Sequence, residues 1–469
     1  MAKIKGNKKN NKLKGKGQND KILGRAGNDQ LEGNAGDDKL NGGGGDDFLD
    51  GGDGNDVMKG GGGDDFMEAG TGNDFFIGGS GIDTVSYVGS AFGISVVMLL
   101  QTTTQGGLND GFKGIENIDG SAFGDTIEGD GAANHFRGFG GKDYLKGSDG
   151  NDILDGGEGD DQIYSDNGAD QLIGGNGTDS LVYETAASGV VINLATGVGG
   201  GSAAGDTFSG FERVFGSKFG DTITGTSAAE VFFGGGGGDD LVGNGGNDVL
   251  FGGAGQDDLR GGDGNDRLSP EGDVVEADHL FGGNGSDWAD YDNAGAAVTV
   301  NLRNNTGGQR ATGDTYNSIE NVQGSDYNDT LIAGLNGRAY GGWGDDYIYD
   351  GAGTEILRGE RGADHLSDNS IGEDGLRDYF VLEVGLGMDT VSGFSKGAGA
   401  SGDRFWLQEG QFNIAHNADG TLVAGQILNT NNSAATTAAQ RLIFDGDPGD
   451  RILYYDADGT GATAPVAIA

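Results

Sequence analysis

Apolar side chains recur along this chain with a period of nine, neither the helical period nor simple strand alternation. From Gly15 the sequence reads GKGQNDKIL, GRAGNDQLE, GNAGDDKLN, GGGGDDFLD, GGDGNDVMK, GGGGDDFME, AGTGNDFFI and GGSGIDTVS without a slip in register. The eighth place is always apolar: Ile22, Leu31, Leu40, Leu49, Met58, Met67, Phe76 and Val85. The seventh and ninth places mix charged and apolar residues. One inward side chain between two outward ones predicts a three-residue strand. The sixth place is always aspartate, at Asp20, Asp29, Asp38, Asp47, Asp56, Asp65, Asp74 and Asp83. From the second unit on, the fourth place is glycine, at Gly27, Gly36, Gly45, Gly54, Gly63, Gly72 and Gly81.

A second run from Gly120 to Val182 supplies Asp125, Asp143, Asp152, Asp161, Asp170 and Asp179, with Gly150, Gly159, Gly168 and Gly177 at the fourth place. A third begins at Gly216 with Asp221, Asp239, Asp248, Asp257 and Asp266 and with Gly237, Gly246, Gly255 and Gly264. It resumes after Pro270 with Asp278 and Asp287. A fourth, Gly324 to Ser367, keeps Asp329, Asp346 and Asp364. Between the runs lie three related inserts starting at Tyr87, Tyr183 and Tyr291, each with an alternating segment (ISVVML, VVINL, VTVNL) and a similar close (GIENIDGS, GFERVFGS, SIENVQGS). The alternation predicts half-buried strands, expected to cover the ends of the repeat blocks. The organisation is then a basic arm with a degenerate repeat at 1–14; repeat blocks at 15–86, 120–182, 216–290 and 324–367; inserts at 87–119, 183–215 and 291–323; and a C-terminal region at 368–469. Internal repeats of this kind predict an all-β solenoid.

Composition adds a condition. Of 469 residues 102 are glycine and 3 proline, 34% are hydrophobic, and the formal charge is −45. Without its period such a chain would be called disordered, because it self-repels and has little apolar area to offset chain entropy. Folding requires that the aspartates be neutralised. Cysteine is absent, which excludes disulfides, thiolate metal sites and a cysteine nucleophile. Residues 1–17 contain no apolar signal segment, and the longest apolar stretch, Ile94 to Leu100, is too short to span a bilayer. A membrane span and a nucleic-acid partner are not expected. Export, if it occurs, uses a route that does not read the N-terminus.

The pattern GGxGxDxUx, with U apolar, resembles the calcium-binding nonapeptide of the RTX family. The resemblance implies an elongated right-handed parallel β-roll, two nonapeptides to a coil, with several Ca2+ ions held between equivalent turns of successive coils. It assigns as ligands the fourth-place glycine carbonyls and sixth-place aspartates named above, except Asp125, Asp221 and Asp329. Those three belong to nonapeptides whose fourth place is Phe123, Phe219 or Tyr327, read as caps. The assignment is physically coherent: calcium takes six to eight hard oxygens, and carbonyls converge on it only where glycine lets the chain bend sharply. Equivalent aspartates about 5 Å apart repel by about 3 kcal/mol at an effective dielectric of about 20, and a divalent ion between them reverses the sign.

Other features carry less. Seven lysines precede Asp20 with no acid among them; this arm is read as a frayed solvated end, the alternative being a contact with acidic polysaccharide, lipopolysaccharide or another copy. His135, His279, His365 and His416 are scattered, and no HExxH, G-x-S-x-G or phosphate loop is present. Trp288, Trp343 and Trp406 are read as core fillers rather than sugar platforms. The strings from Arg377 and Arg441 resemble the non-repetitive C-terminal region of RTX proteins, which implies the type I secretion machinery as a partner and an extracellular or cell-surface location. The expected function is a structural, adhesive or self-assembling protein that folds on calcium outside the cell; the alternative is a polysaccharide-acting or hydrolytic enzyme of the same family. A non-enzyme is expected because repeats begin almost at Met1.

Overall fold

The computed structural model describes residues 3–100, 102–103, 110–270, 276–367 and 378–382, and beyond these the strands Thr390–Ser392, Arg404–Leu407, Phe412–His416, Leu422–Asn429, Arg441–Phe444, Leu453–Asp456 and Val466–Ala467. The chain divides into two compact units, Met1–Gly225 with Glu230–Gly235, and Thr226–Ala229 with Gly236–Ala469. Each is a parallel β-solenoid. Among the described residues the one helical element is the 3-10 turn Met98–Leu100.

In the first unit the period sets the architecture directly. Strands such as Lys21–Leu23 and Gln30–Glu32 are three residues long with the middle residue buried, as expected, whereas Val57–Gly62 and Phe75–Ser80 run on to six residues and bury a first-place glycine as well. Successive nonapeptides lie on opposite walls, so each strand pairs in parallel with the strand of the next coil: Ile4↔Ile22↔Leu40↔Met58↔Phe76 on one wall and Leu13↔Leu31↔Leu49↔Met67↔Val85 on the other. From Ile22 to Val85 the eighth-place side chains are 0–2% exposed and form a narrow core. Each contributes about 1.5 to 3 kcal/mol of burial.

From Lys3 on, the N-terminal arm joins the ladder, contrary to the expected fraying. Lys3–Lys5 and Lys12–Lys14 are rungs of the ladder, because Ile4 and Leu13 fall in register with the eighth places of the following coils.

The inserts do not cover block ends. Ser95–Val97 runs parallel to Thr126–Glu128, Thr102–Thr103 pairs antiparallel with it and with Gly111–Lys113, and Gly111–Lys113 runs parallel to Phe75–Ser80. The alternating segment is thus a rung of the wall, with Ile94, Val96 and Met98 buried inward. The second insert does the same through Val190–Asn193, Val198–Gly201 and Thr207–Ser209. A wall rung needs only an inward apolar face and a free strand edge on either side, and a short antiparallel excursion supplies both.

In the second unit, Val298–Asn301 pairs antiparallel with Thr306–Gln309 and parallel with Thr330–Ile332. The parallel ladder also runs past the last nonapeptide: Tyr379–Leu382 joins Ile356–Arg361 and Arg404–Leu407, and Thr390–Ser392 joins His365–Ser367. An antiparallel sheet follows, in which Leu453–Asp456 pairs with Arg441–Phe444.

The tryptophans are not core fillers where their side chains are described. Trp288 stands at a seventh place and Trp343 at a third, both outward. Trp288 packs on Tyr340, and Trp343 is 55% exposed beneath the guanidinium of Arg361. The side chain of Trp406 lies outside the described residues.

Candidate metal centre

Each turn between strands brings three kinds of oxygen together. At Gly54, in the fourth place, φ is +134°, a backbone that favours glycine. A Cβ there would lie 2.3 Å from the carbonyl of Gly36, its equivalent one coil earlier, and a Cβ at Gly52 would lie 1.9 Å from the carbonyl of Asn34. Second- and fourth-place carbonyls therefore crowd the space between one turn and the next. Of the fourth-place glycines assigned from the sequence, Gly168 alone falls outside the left-handed set. The first place is glycine for a different reason: a Cβ at Gly51 would meet Asp56 Oδ2 at 2.2 Å.

The aspartates form ladders. The N–H of each sixth-place residue donates to Oδ1 of its equivalent in the next coil: Asp20 to Asp38, Asp38 to Asp56 and Asp56 to Asp74 along one edge, Asp29 to Asp47, Asp47 to Asp65 and Asp65 to Asp83 along the other, at 2.5–2.9 Å. The same ladder links Asp143, Asp161 and Asp179, and Asp152 with Asp170, in the first unit. In the second it links Asp239, Asp257 and Asp278, then Asp248, Asp266 and Asp287, then Asp346 and Asp364. All are at most 6% exposed. In most of them the second oxygen is left over: Oδ2 of Asp29, Asp38, Asp47, Asp56, Asp65, Asp83, Asp143, Asp152, Asp161, Asp179, Asp257, Asp266, Asp287 and Asp346 is buried without a hydrogen-bond partner; Asp20 and Asp170 differ, their Oδ2 accepting Lys16 N–H at 2.8 Å and the Ser165 hydroxyl at 3.1 Å.

A buried carboxylate oxygen without a donor costs several kcal/mol. Burial accordingly pushes Asp56 up to about 6, Asp65 and Asp143 to about 7 and Asp346 to about 8. Repeated oxygens of this kind, beside glycine carbonyls, fit a hard divalent cation such as calcium.

The carboxylates outside the assigned set differ in kind. Asp125 Oδ1 accepts from Ile94 N–H and Ser121 Oγ, and its Oδ2 from Ser121 N–H at 2.6 Å. Asp221 and Asp329 repeat this with Val190 and Ser217, and with Val298 and Ser325. Protein donors reach both oxygens of these three.

Sequence reasoning missed the residues that end each ladder. Where a block meets an insert, the next carboxylate comes from the insert: Asp74 N–H donates to Asp110, Asp170 N–H to Asp206 and Asp278 N–H to Asp314. Oδ2 of each receives the hydroxyl of the insert's first tyrosine, from Tyr87, Tyr183 and Tyr291. The other edge ends on Glu116, Glu212 and Glu320, which accept from Asp83, Asp179 and Asp287 N–H. The signal was present: aligning the three inserts with one another puts tyrosine, aspartate and glutamate at the same offsets in all three.

A family model described as the RTX calcium-binding nonapeptide repeat matches residues 3–31, 14–49, 23–58, 50–85, 110–145, 119–154, 146–181, 206–241, 233–268 and 334–366, together more than half of the chain. No curated protein matches it.

Proposed function

This chain belongs to the RTX calcium-binding nonapeptide repeat family, a calcium-binding structural repeat protein, and from that premise we propose that it is exported unfolded and folds on calcium outside the cell into a structural or adhesive surface component rather than an enzyme. The observation that carries the reading is the row of buried Oδ2 atoms without a donor. Such rows disfavour the metal-free fold and reward a calcium-loaded one. Sites of the extracellular class have dissociation constants of about 10⁻⁴ to 10⁻³ M, too weak to fill in the cytosol. Export through a type I route is argued from the sequence after Arg377, most of which lies outside the described residues.

The partner reading rests on lysines. Lys3, Lys21 and Lys39 are exposed register neighbours on one wall of the first unit, a basic strip on an acidic protein. It suits an acidic polysaccharide or the acidic flank of another copy.

Circular dichroism at about pH 8, above the raised values of most of the buried aspartates, tests the folding step: millimolar calcium should convert a coil spectrum into a β spectrum, and a β spectrum that survives exhaustive chelation there refutes it. Deleting the segment after Arg377 should retain the protein inside the cell, and normal secretion of that truncation removes the export proposal. Electron microscopy with calcium separates ordered sheets or fibres, expected of an assembling component, from dispersed particles.

A further inference from the structure

In ordinary turns the first place is glycine because a side chain there would run into the sixth-place carboxylate; at Gly341 a Cβ would lie 2.2 Å from Asp346 Oδ2. One turn of the first unit shows what a side chain in that place does. The hydroxyl of Ser165 lies 3.1 Å from Asp170 Oδ2 and 3.1 Å from Asp206 Oδ2, the acid of its own turn and that of the next coil. A single first-place group therefore faces two carboxylates.

Asp350 stands in the same place of the nonapeptide DGAGTEILR in the second unit. Its own sixth-place acid is Glu355, and the next coil's is Asp378, whose Oδ1 accepts Glu355 N–H at 3.0 Å. One oxygen from each of the three lies within 4.8 Å of the others, and all three residues are buried. Glu355 is 0% exposed; Oε1 accepts Asn336 N–H at 3.0 Å, while Oε2 has no hydrogen-bond partner. Serine in the first place offers its two acids a hydrogen-bond donor. An ionised aspartate there donates nothing and adds a third negative charge.

We propose that Asp350, Glu355 and Asp378 form a cation site separate from the aspartate-and-glycine turns, holding a hard divalent ion, calcium in the first instance, more tightly than those turns do. Affinity in all-oxygen calcium sites rises with the number of ligand charges and with rigidity, and here three carboxylates replace the usual two on a buried ladder. The site would fill first as calcium rises.

Calcium counting on the full chain tests this, by equilibrium dialysis and elemental analysis across buffered free calcium. One ion per chain should remain at free calcium at least about tenfold below the midpoint of the others. Asp350→Ser, which recreates the Ser165 arrangement, should lose that ion and keep the rest. Asp350→Asn, of unchanged size, should do the same and decides the matter if the serine variant has a reduced β signal at saturating calcium. A tight step that persists in both variants overturns the proposal. So does a wild-type chain whose ions all load with one midpoint, which would mean that a proton relieves the cluster. If only the tight ion binds and the other turns stay empty, the reading of the repeats fails and this site stands.

Discussion

At Asp56 the two oxygens of one carboxylate do different work: Oδ1 accepts Asp38 N–H at 2.7 Å, and Oδ2 is buried with no donor. At Asp125 both oxygens are occupied by Ile94 and Ser121. Alanine should therefore act differently at the two. Asp56→Ala is expected to raise the calcium midpoint of folding and to lower the number of bound ions. Asp125→Ala should leave the ion count nearly unchanged and cost about 1 to 3 kcal/mol of stability at saturating calcium through lost hydrogen bonds. Calcium titrations followed by β signal and bound ions decide it; equal midpoints would show that the turns are not distinguished in this way. Protons offer the metal-free chain another remedy. Burial raises Asp56 to about 6, Asp65 to about 7 and Asp346 to about 8, above the 3.8 of a free aspartate. The folded state then binds more protons than the unfolded one between about pH 4 and 8, so stability is greatest at the low end and is lost as pH rises through the folded values. In chelator, acidification from pH 8 to pH 5 should increase the β signal, whereas with calcium present the same change should weaken ion binding. A metal-free β signal that falls on acidification over that range would contradict the burial account.

Among the elements, the inserts interrupt the aspartate ladders without interrupting the walls. Their strands continue the parallel pairing, while Tyr87 with Asp110 and Ser121 with Asp125 supply protein donors where the repeats leave oxygens bare. At these two carboxylates the solenoid is held by protein hydrogen bonds, between stretches that call for an ion. Tyr87 is 0% exposed, so removing only its hydroxyl tests this without opening a cavity. Tyr87→Phe should lower stability at saturating calcium by about 1 to 3 kcal/mol, because Asp110 Oδ2 loses its hydroxyl donor in a dry site. Urea unfolding in excess calcium measures it, and a midpoint equal to that of the unmodified chain would mean the hydroxyl does not hold the end of the ladder.

For the whole molecule, a large share of the charge of −45 has to be met inside the turns, since sixth-place carboxylates in both units are buried in rows. Screening by monovalent salt acts on exposed charges and reaches buried rows poorly. The identity of the divalent ion also matters. Calcium accepts irregular sets of six to eight oxygens, whereas magnesium demands a near-octahedral shell at about 2.0 to 2.1 Å and keeps several waters. Turns built from backbone carbonyls at fixed strand spacing suit the first. Magnesium at the concentration where calcium gives the full β spectrum should leave the chain largely unfolded, and equal folding by the two ions would count against carbonyl-lined sites.

The nine-residue period by itself determined where the strands lie, the inward eighth place, the sixth-place aspartates and the family to which the chain belongs, because each is a local rule repeated in register: every unit of the first run from Gly15 repeats the places of Leu31 and Asp29. The C-terminal strands and the inserts were less legible. Nothing near Ile94 or Val96 states whether an alternating strand caps a block or enters its wall, since both bury the same face; only the pairing with Thr126–Glu128 decides. The tertiary structure alone also decided which carboxylates are left without donors. Asp56 and Asp125 are the same residue at the same place of the repeat, and what separates them is the serine at the second place of one turn and the N–H of Ile94 arriving from an insert distant in sequence. A carboxylate's need for an ion depends on every donor that reaches it, and those donors come together only when the coils stack.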